Sequence, residues 1–314
     1  MSFEPRYMKL YRSGELAERA GVARARLSAC DLCARKCGID RLLSPEKAPC
    51  HTGSHARVSS YGAHFGEEDP LRGERGSGTV FFAWCSLRCI YCQNSDVSWD
   101  GHGQDVSAEG LAAMMVSLQS QGCHNINFVS PSHVVAQILE SLVIAIEKGL
   151  RIPLVYNTGG YDALDALELL DGVIDVYMPD VKYADGDTAK QFSGVADYVD
   201  VNRAATKAMH AQVGDLVLDE DGIAQSGLIV RHLVMPNDVS GTNDVLRFIA
   251  EELSTNTYVN VMEQYRPCHR AADFPELARR PSEEEFLAAF REAKALGLER
   301  LDPRTTWRKF VEED

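Results

Sequence analysis

From about residue 79 onward, the chain alternates between short apolar runs and segments whose apolar residues recur with the period of a helix. The apolar runs are rich in β-branched and aromatic residues and are bounded by turn residues. Their near-continuous apolar character is typical of parallel strands that are covered on both faces. Six such runs predict strands at Thr79–Trp84, His124–Val129, Ile152–Asn157, Ile174–Pro179, Leu228–Val234 and Asn256–Met262.

Helical segments separate the predicted strands, with Ser107 and Ser132 as candidate N-caps. Alternation of strand and helix implies parallel strands joined by right-handed crossovers. Because the count is six rather than eight, we expect an α/β fold with an open, partial (β/α)6 TIM-like barrel. An Asp-Gly pair within 216–224 predicts a hairpin. The predicted helices are Ser107–Ser120, Ser132–Glu147, Ala163–Leu170, Asn202–Val213, Gly241–Leu253 and Ser282–Leu296.

The first part of the chain has a different pattern. Residues 14–28 predict one short helix, and the stretch from there to about Gly78 is rich in Gly, Ser, His and Pro with little periodicity. We expect this stretch to need a bound metal to become ordered. The sequence therefore predicts three regions: an N-terminal helix and metal-binding arm at 1–75, the barrel at 76–270, and a C-terminal helical segment at 271–314.

The charge balance is strongly acidic, and it narrows the range of partners. The 314-residue chain has 32 Lys and Arg against 46 Asp and Glu, a formal net charge of −14. This argues against a nucleic-acid partner, because neutralising phosphates requires clustered Lys and Arg. No apolar run reaches the length of a membrane span, and no secretory signal opens the chain. We therefore expect a cytoplasmic protein without a nucleic-acid or membrane partner.

Three cysteines directly after the first predicted strand are the strongest chemical signal. Cys85, Cys89 and Cys92 have the spacing C-x3-C-x2-C. Three thiolates can hold three corners of a 4Fe-4S cube and leave one iron open, and an open coordination site indicates chemistry. A partial zinc site and a set of redox thiols are the alternatives. A ferredoxin cluster would require a fourth nearby cysteine, and the next one is Cys123.

This loop resembles the cluster loop of the radical S-adenosylmethionine (SAM) superfamily, in which the open iron is chelated by the amino and carboxylate groups of SAM. Tyr91 matches the aromatic position that the superfamily places against adenine. From about Thr79 to Pro267 the chain is similar to the pyruvate formate-lyase activating enzyme family. That family binds the SAM amino group with a Gly-Gly-Glu run, where this chain has Ser130 and Ser132. Both serines are candidate contacts, and N-capping is the alternative for Ser132.

The resemblance also covers the ends of later strands. Asp180 and Lys182 match an Asp-x-Lys that contacts the SAM carboxylate and ribose region, and an Asp and Lys two apart on a strand face the same way. A surface ion pair is the alternative. Arg231 matches a fifth-strand Arg that meets the SAM carboxylate, and an Arg within an apolar strand needs an anion. Asn157 and Thr158 lie where the family contacts ribose or methionine atoms.

Four further cysteines form a set within the arm. Four thiolates match a structural zinc site or a four-cysteine auxiliary iron–sulfur cluster, and spacing does not distinguish the two metals. Four unligated thiols are the alternative. The arm resembles the front end of an uncharacterised branch of the same family, whereas activators of glycyl radical enzymes carry their extra cysteines after the cluster loop. The set consists of Cys30, Cys33, Cys37 and Cys50.

The resemblance implies an enzyme that takes an electron from a flavodoxin or ferredoxin and cleaves SAM to methionine and a 5′-deoxyadenosyl radical. That radical would abstract hydrogen from a substrate, which could be a glycine of a glycyl radical enzyme. Modification of a small molecule or peptide is the second hypothesis, and a non-catalytic iron–sulfur electron-transfer module is the third. Residues 263–266, at the end of the sixth strand, are the best candidates for substrate contact.

Overall fold

Six parallel strands form the centre of the fold in the computed structural model, which describes residues 3–303. Within these residues three further strands extend the sheet by antiparallel pairing. In chain order the strands are β1 (Ala56–His64), β2 (Ser77–Phe82), β3 (Gln104–Val106), β4 (Ile126–Val129), β5 (Leu154–Thr158), β6 (Val176–Pro179), β7 (Val217–Leu218), β8 (Ala224–Leu233) and β9 (Tyr258–Met262).

All six predicted strands are present, and they pair in the order β2, β4, β5, β6, β8, β9. The sheet is mixed and does not close, which confirms the α/β fold with a partial TIM-like barrel. The register places Phe81, Val129, Asn157 and Met178 side by side across four strands. The loops that follow these strands therefore emerge at one edge of the sheet.

The expectation of an irregular stretch up to about Gly78 is wrong for β1. This strand pairs antiparallel with β2 and carries β3 on its other side. Only Ala56 and Val58 of β1 are buried, and the rest of the strand is half-buried or exposed. Such a strand contains Ser and Gly where a buried strand would contain Val or Ile, so hydrophobic pattern alone does not reveal it. The hairpin at 216–224 is confirmed by the pairing of β7 with β8.

Helices cover the parallel strands. Ser107 caps α5 as predicted, and Ser282 forms a capping box with Glu285 at the start of α11. Ser132 does not cap a helix, because it lies in a 3₁₀ turn ahead of α6. The helices are α1 (Tyr7–Ser13), α2 (Glu15–Ala25), α3 (Asp69–Arg72), α4 (Ser95–Ser98), α5 (Ala108–Ser120), α6 (Val135–Glu147), α7 (Leu164–Leu170), α8 (Gly186–Ser193), α9 (Tyr198–Val213), α10 (Thr242–Phe248) and α11 (Glu283–Ala295).

The N-terminal helices share the hydrophobic core of the barrel. Tyr7 and Leu16, from α1 and α2, are buried in the same cluster as Phe128 of β4 and Leu139 of α6. The predicted division into three regions stays a prediction, and the last eleven residues of the C-terminal region, 304–314, lie outside the described residues. None of the helices in the described range combines the length and the hydrophobicity needed to cross a bilayer.

Candidate functional site

A cavity of about 390 Å³ lies at the carboxyl ends of the parallel strands. Its volume is in the range of small-molecule sites, and its position is where ligands bind in sheets of this kind. Most of the predicted cofactor residues line it together, although they come from five separate places in the sequence. These lining residues are Cys85, Cys89, Cys92, Ser130, Asn157, Thr158, Asp180, Lys182 and Arg231.

The loop that carries the three cysteines is held by backbone contacts to the end of α8. The amide of Arg88 donates to the carbonyl of Ser193 at 3.1 Å, and the amide of Ile90 donates to the carbonyl of Phe192 at 2.9 Å. At the start of the loop, Trp84 adopts a left-handed conformation with φ 67°. A non-glycine residue there stores strain that the surrounding packing must hold, and such strain concentrates at functional turns.

Each of the three thiols has a hydrogen-bond partner. The amide of Leu87 donates to Cys85 Sγ at 3.4 Å, Ser193 Oγ donates to Cys89 Sγ at 3.0 Å, and Cys92 Sγ lies 3.1 Å from Ser98 Oγ. Burial raises the pKa of Cys89 to about 12, although the positive charge of Lys182 acts to lower it. A bound metal would offset this penalty, because its positive charge favours the thiolate.

Three soft donors in one cavity, each with a hydrogen-bonding partner, fit a cluster with one open iron. Within residues 3–303, no three side chains of His, Cys, Asp or Glu form a group that could hold a single metal ion. Each thiolate of an iron–sulfur cluster binds a different iron atom, so its ligands lie farther apart than those of one ion.

Opposite the thiols, three charged side chains form one ion-pair network. Lys182 Nζ lies 2.5 Å from Asp180 Oδ2, and Arg231 Nε donates to Asp180 Oδ1 at 2.8 Å. Arg231 also donates to Asn157 Oδ1 at 2.7 Å and approaches Glu67 Oε2 at 3.9 Å. The predicted common orientation of Asp180 and Lys182 is observed, and the network is largely buried, with side-chain exposures of 15–18%.

Three charged side chains of this network line the cavity: Asp180, Lys182 and Arg231. Burial opposes the charge on Asp180, but Arg231 and Lys182 outweigh it and hold the pKa of this carboxyl below its usual value. Asp180 in turn raises the pKa of both Lys182 and Arg231. All three groups are therefore charged at neutral pH. Glu67, which approaches Arg231 at 3.9 Å, does not line the cavity. The charged side chains on the cavity wall are thus two cations and one carboxylate, which suits a ligand with a carboxylate.

The ends of β4 and β5 are joined by a buried hydroxyl network. Ser132 Oγ lies 3.0 Å from Thr158 Oγ1, which donates to Asp162 Oδ2 at 2.6 Å. Ser130, at φ 58°, donates its amide to the carbonyl of Asn157 at 2.9 Å. Ser130, Asn157 and Thr158 thus reach the cavity, whereas Ser132 stands behind Thr158 and does not line it.

Tyr91 lies beside the cavity rather than on its wall. Its hydroxyl accepts a hydrogen bond from Tyr183 at 2.7 Å, and its ring packs against the rings of Tyr183 and Tyr265. The predicted contact of Tyr91 with adenine stays a prediction, because Tyr91 is not among the lining residues.

The four arm cysteines lie outside the cavity, in a region of tight turns. The amide of Cys30 donates to the carbonyl of Ile39 at 3.0 Å, and the amide of Gly38 donates to the carbonyl of Cys30 at 2.9 Å. The amide of Lys36 donates to the carbonyl of Cys33 at 2.9 Å. A single-ion site is not visible here, and metal binding by the arm stays a prediction. Three of the four cysteines are buried, namely Cys30, Cys33 and Cys50, and Cys37 is half-buried.

A buried arginine lies against these arm cysteines. Arg41, only 1% exposed, donates to Cys30 Sγ at 3.3 Å, to the carbonyl of Thr52 at 2.6 Å and to the carbonyl of His133 at 2.8 Å. It forms no salt bridge with a carboxylate in the part of the chain that the structure describes. Although burial opposes its charge, the neighbouring Cys50 and Cys30 raise the pKa of Arg41. A cysteine sulfur, rather than a carboxylate, is therefore the side-chain partner of this guanidinium within the described residues.

The arm packs directly on the cluster loop. Arg35 Nε donates to the carbonyl of Ser86 at 2.7 Å, and the ring of His51 lies 4.4 Å from that of Trp84. Arg88, from the loop, donates to the carbonyl of Pro49. The arm and the cluster loop are therefore neighbours in the fold, which the separation of their cysteines in sequence does not reveal.

Several residues near the site were missed from sequence. Those that follow the cluster loop, such as Ser98, could have been found by proximity along the chain. The others carry no sequence signal, because β1, α8 and the β1–β2 connection reach the site only through the fold. The missed residues are Ser59, Ser60, Ser98, Ser193, Glu67 and Glu68.

Similarities to known proteins include a family model, a protein of another organism and a solved structure. The family model of the radical SAM superfamily matches residues 79–220. A protein of Methanocaldococcus jannaschii, described as uncharacterized, is 31% identical over 279 residues, which cover 86% of this chain and 75% of the relative. The crystal structure of HydG, described as a maturase of the FeFe-hydrogenase, is similar with a TM-score of 0.47 and 14% identity over 74% of this chain. The chain spans about half of HydG, 53% of its length.

Proposed function

This chain belongs to the radical SAM superfamily, and from that premise we propose that it uses SAM to abstract a hydrogen atom from an organic substrate at the cavity. Membership in the superfamily brings a 4Fe-4S cluster and SAM as cofactors. When bound, the cluster supplies the electron that cleaves SAM into methionine and a 5′-deoxyadenosyl radical.

One observation carries this proposal: the three thiols and a cationic wall line the same cavity. Cys85, Cys89 and Cys92 are the ligands that would hold the cluster. Lys182 and Arg231, fixed by Asp180, present the positive charge that would bind the methionine carboxylate of SAM. A ligand with a metal-chelating end and a carboxylate is therefore complementary to the cavity.

The remaining wall positions SAM through neutral groups. Asn157 receives a hydrogen bond from Arg231, which orients its amide. Thr158 is held by Asp162, and Ser130 places its half-buried side chain on the wall. With no Gly-Gly-Glu run, we assign the SAM amino group to the hydroxyl and carbonyl oxygens of Ser130, which can accept from an ammonium.

The class of substrate is a finer proposal. Activation of a glycyl radical enzyme is the reaction that the resemblance to pyruvate formate-lyase activating enzymes suggests, and modification of a small molecule or peptide is the other. Both require an electron donor, for which a flavodoxin or ferredoxin is the natural class. A radical detected by electron paramagnetic resonance on a partner protein, rather than on a small product, would separate the first from the second.

We also propose that the arm holds a second metal centre, zinc or iron–sulfur. The support is Arg41, a buried guanidinium that donates a hydrogen bond to the sulfur of Cys30. A buried arginine is costly unless it meets an anion. Four thiolates around a metal carry excess negative charge, so Arg41 would compensate part of it.

The decisive experiment is a SAM cleavage assay on anaerobically reconstituted protein. We expect the reduced wild-type protein to release 5′-deoxyadenosine and methionine, and the variant with Cys85, Cys89 and Cys92 all changed to Ala to release neither. Cys268→Ala, which changes a half-buried cysteine outside both groups, is the matched control. Cleavage of SAM by the triple variant would overturn the proposal. SAM cleavage by the wild-type protein would also distinguish an enzyme from an electron-transfer module.

A further inference from the structure

A second, smaller cavity adjoins the site on the far side of Arg231. Its volume is about 170 Å³, and it lies between β9 and the connection from β1 to β2. Gln264, just beyond the end of β9, also lines it and belongs to the run in which substrate contacts were predicted. The lining residues are Gly66, Glu67, Glu68, Arg231, Asn260, Met262 and Gln264.

Two of the residues that line this cavity each have a buried acceptor atom without a donor. Asn260 Nδ2 donates to Glu68 Oε1 at 2.7 Å, which fixes the orientation of both side chains. Glu68 Oε2 and Asn260 Oδ1 receive no hydrogen bond within residues 3–303, although the two residues are only 2% and 4% exposed. A buried acceptor without a donor costs free energy, so this pair of atoms is suited to a ligand with several N–H groups.

The charges around the cavity select the sign of that ligand. Glu67 and Glu68 contribute two buried carboxyl groups. Arg231 is engaged by Asp180 at 2.8 Å and lies 3.9 Å from Glu67, while the half-exposed His64 lies 3.4 Å from Glu67 on its other side. Neither Arg231 nor His64 forms a hydrogen bond to Glu68 Oε2. Burial raises the pKa of Glu68, and the positive charge of Arg231 opposes that shift. An anion would be repelled by both glutamates, whereas a bound cation would favour the Glu68 carboxylate in the same way as Arg231 does.

We propose that this cavity is a substrate subsite for an ammonium group, so that the substrate of the radical reaction is a primary amine. The inference rests on the proposed function, because only the neighbouring SAM cavity makes the bound amine a reactant. Glu68 Oε2 and Asn260 Oδ1 would accept two of the three ammonium hydrogens. SAM itself is assigned to the thiol side of Arg231, so its amino group does not occupy this subsite.

The test uses n-butylammonium as the probe and 1-butanol as its neutral analogue, with the full chain anaerobically reconstituted. Affinities are measured by ligand-observed NMR titration. We expect wild-type protein to bind n-butylammonium and not 1-butanol. Glu68→Gln keeps the size of the side chain and removes its charge, and it should weaken n-butylammonium binding at least ten-fold. The matched control is Glu74→Gln, at an exposed glutamate six residues away, which should bind as wild type does.

Asn260→Ser is the second variant, and circular dichroism checks that both variants are folded. Asn260→Ser should also weaken the binding of n-butylammonium, since it removes one acceptor and the contact that orients Glu68. Equal affinity of wild type and Glu68→Gln, or equal binding of 1-butanol and n-butylammonium, would overturn the inference. SAM cleavage by the same wild-type preparation is measured separately. Cleavage without amine binding would remove the subsite alone, whereas amine binding without cleavage would remove the proposed radical reaction.

Discussion

Arg231 is the residue at which both parts of the site meet. Its side chain donates to Asp180 and Asn157 on the side of the larger cavity and approaches Glu67 on the other. Its guanidinium neutralises the carboxylate of Asp180 and also lines the larger cavity, where it could pair with the carboxylate of SAM. The two roles differ in what is lost when the side chain is removed.

We expect Arg231→Ala to weaken SAM binding about ten-fold or more, since a charge-assisted hydrogen bond contributes about 1.5–3 kcal/mol. The measurement is calorimetric titration of SAM into folded, cluster-loaded protein, with the absorption spectrum as the check on the cluster. Arg247→Ala removes an exposed arginine paired with Asp244 and is the control. A variant with unchanged SAM affinity and lowered thermal stability would assign Arg231 to the fold alone.

His232, the neighbour of Arg231, has a different role. It is fully buried, with Nδ1 2.7 Å from the carbonyl of Val181 and Nε2 3.0 Å from Thr242 Oγ1. Burial lowers its pKa to about 4, although the Val181 carbonyl opposes the shift. The imidazole is thus neutral in the folded protein under conditions in which an exposed histidine would be protonated.

This difference makes stability depend on pH in a defined direction. Below about pH 6.5 the unfolded chain gains a proton at His232 that the folded chain does not. Stability from this residue is therefore complete above pH 6.5 and is lost as the pH falls towards 4. Between pH 7 and 5 we expect the free energy of unfolding to fall about 2 kcal/mol more in wild type than in His232→Gln. Urea unfolding at both pH values measures this, with the exposed His102→Gln as control; equal losses in all three proteins would refute it.

At the scale of elements, the cluster loop depends on two structures that flank it. The end of α8 holds its backbone, and the arm packs on its outer side through Arg35 and His51. Arg88 lies between the rings of Trp84 and Trp99, at 5.7 and 5.4 Å from their centroids. Favourable cation–π contacts of this kind help to fix the loop. Because Arg88 also donates to the carbonyl of Pro49 in the arm, order in the arm and order in the loop are coupled.

The arm should carry its own metal. Removing the cluster ligands by the triple Cys85, Cys89 and Cys92 change to Ala leaves the arm cysteines intact, and we expect metal analysis of this variant to find retained zinc or iron. The additional change of Cys30 and Cys50 to Ser should remove that metal and lower the melting temperature, because bound metal contributes folding free energy. A triple variant without metal and with wild-type stability would show that the arm cysteines bind nothing.

At the scale of the whole molecule, chemistry collects at one edge of the open barrel. The shared register of β2, β4, β5 and β6 brings the ends of these strands level, and the larger cavity forms there. The smaller cavity lies beside it, next to β9. A cationic wall faces the first cavity and a pair of glutamates faces the second. The two cavities therefore favour ligand groups of opposite charge, separated by one arginine.

The hydrophobic pattern determined the central fold. Buried parallel strands must be apolar along their whole length, so six apolar runs were sufficient to predict six strands and an open barrel. Ligands collect at the carboxyl ends of such strands, and this rule indicated a site role for Asp180. Arg231 was assigned to the same site by the resemblance to the family, and because an arginine within an apolar strand needs an anion. The spacing of the three cysteines indicated the cluster, because the ligands come from a single short loop.

Only the tertiary structure decided the rest. The strand β1 was invisible to pattern analysis because most of its residues are partly exposed. Glu68 and Asn260 are separated by 192 positions and meet only because the β1–β2 connection folds against β9. Arg41 was unremarkable in sequence and gained its meaning from burial beside thiols. Periodicity reports which face of an element is buried, whereas contacts between distant segments depend on how the elements pack, and no local pattern records that.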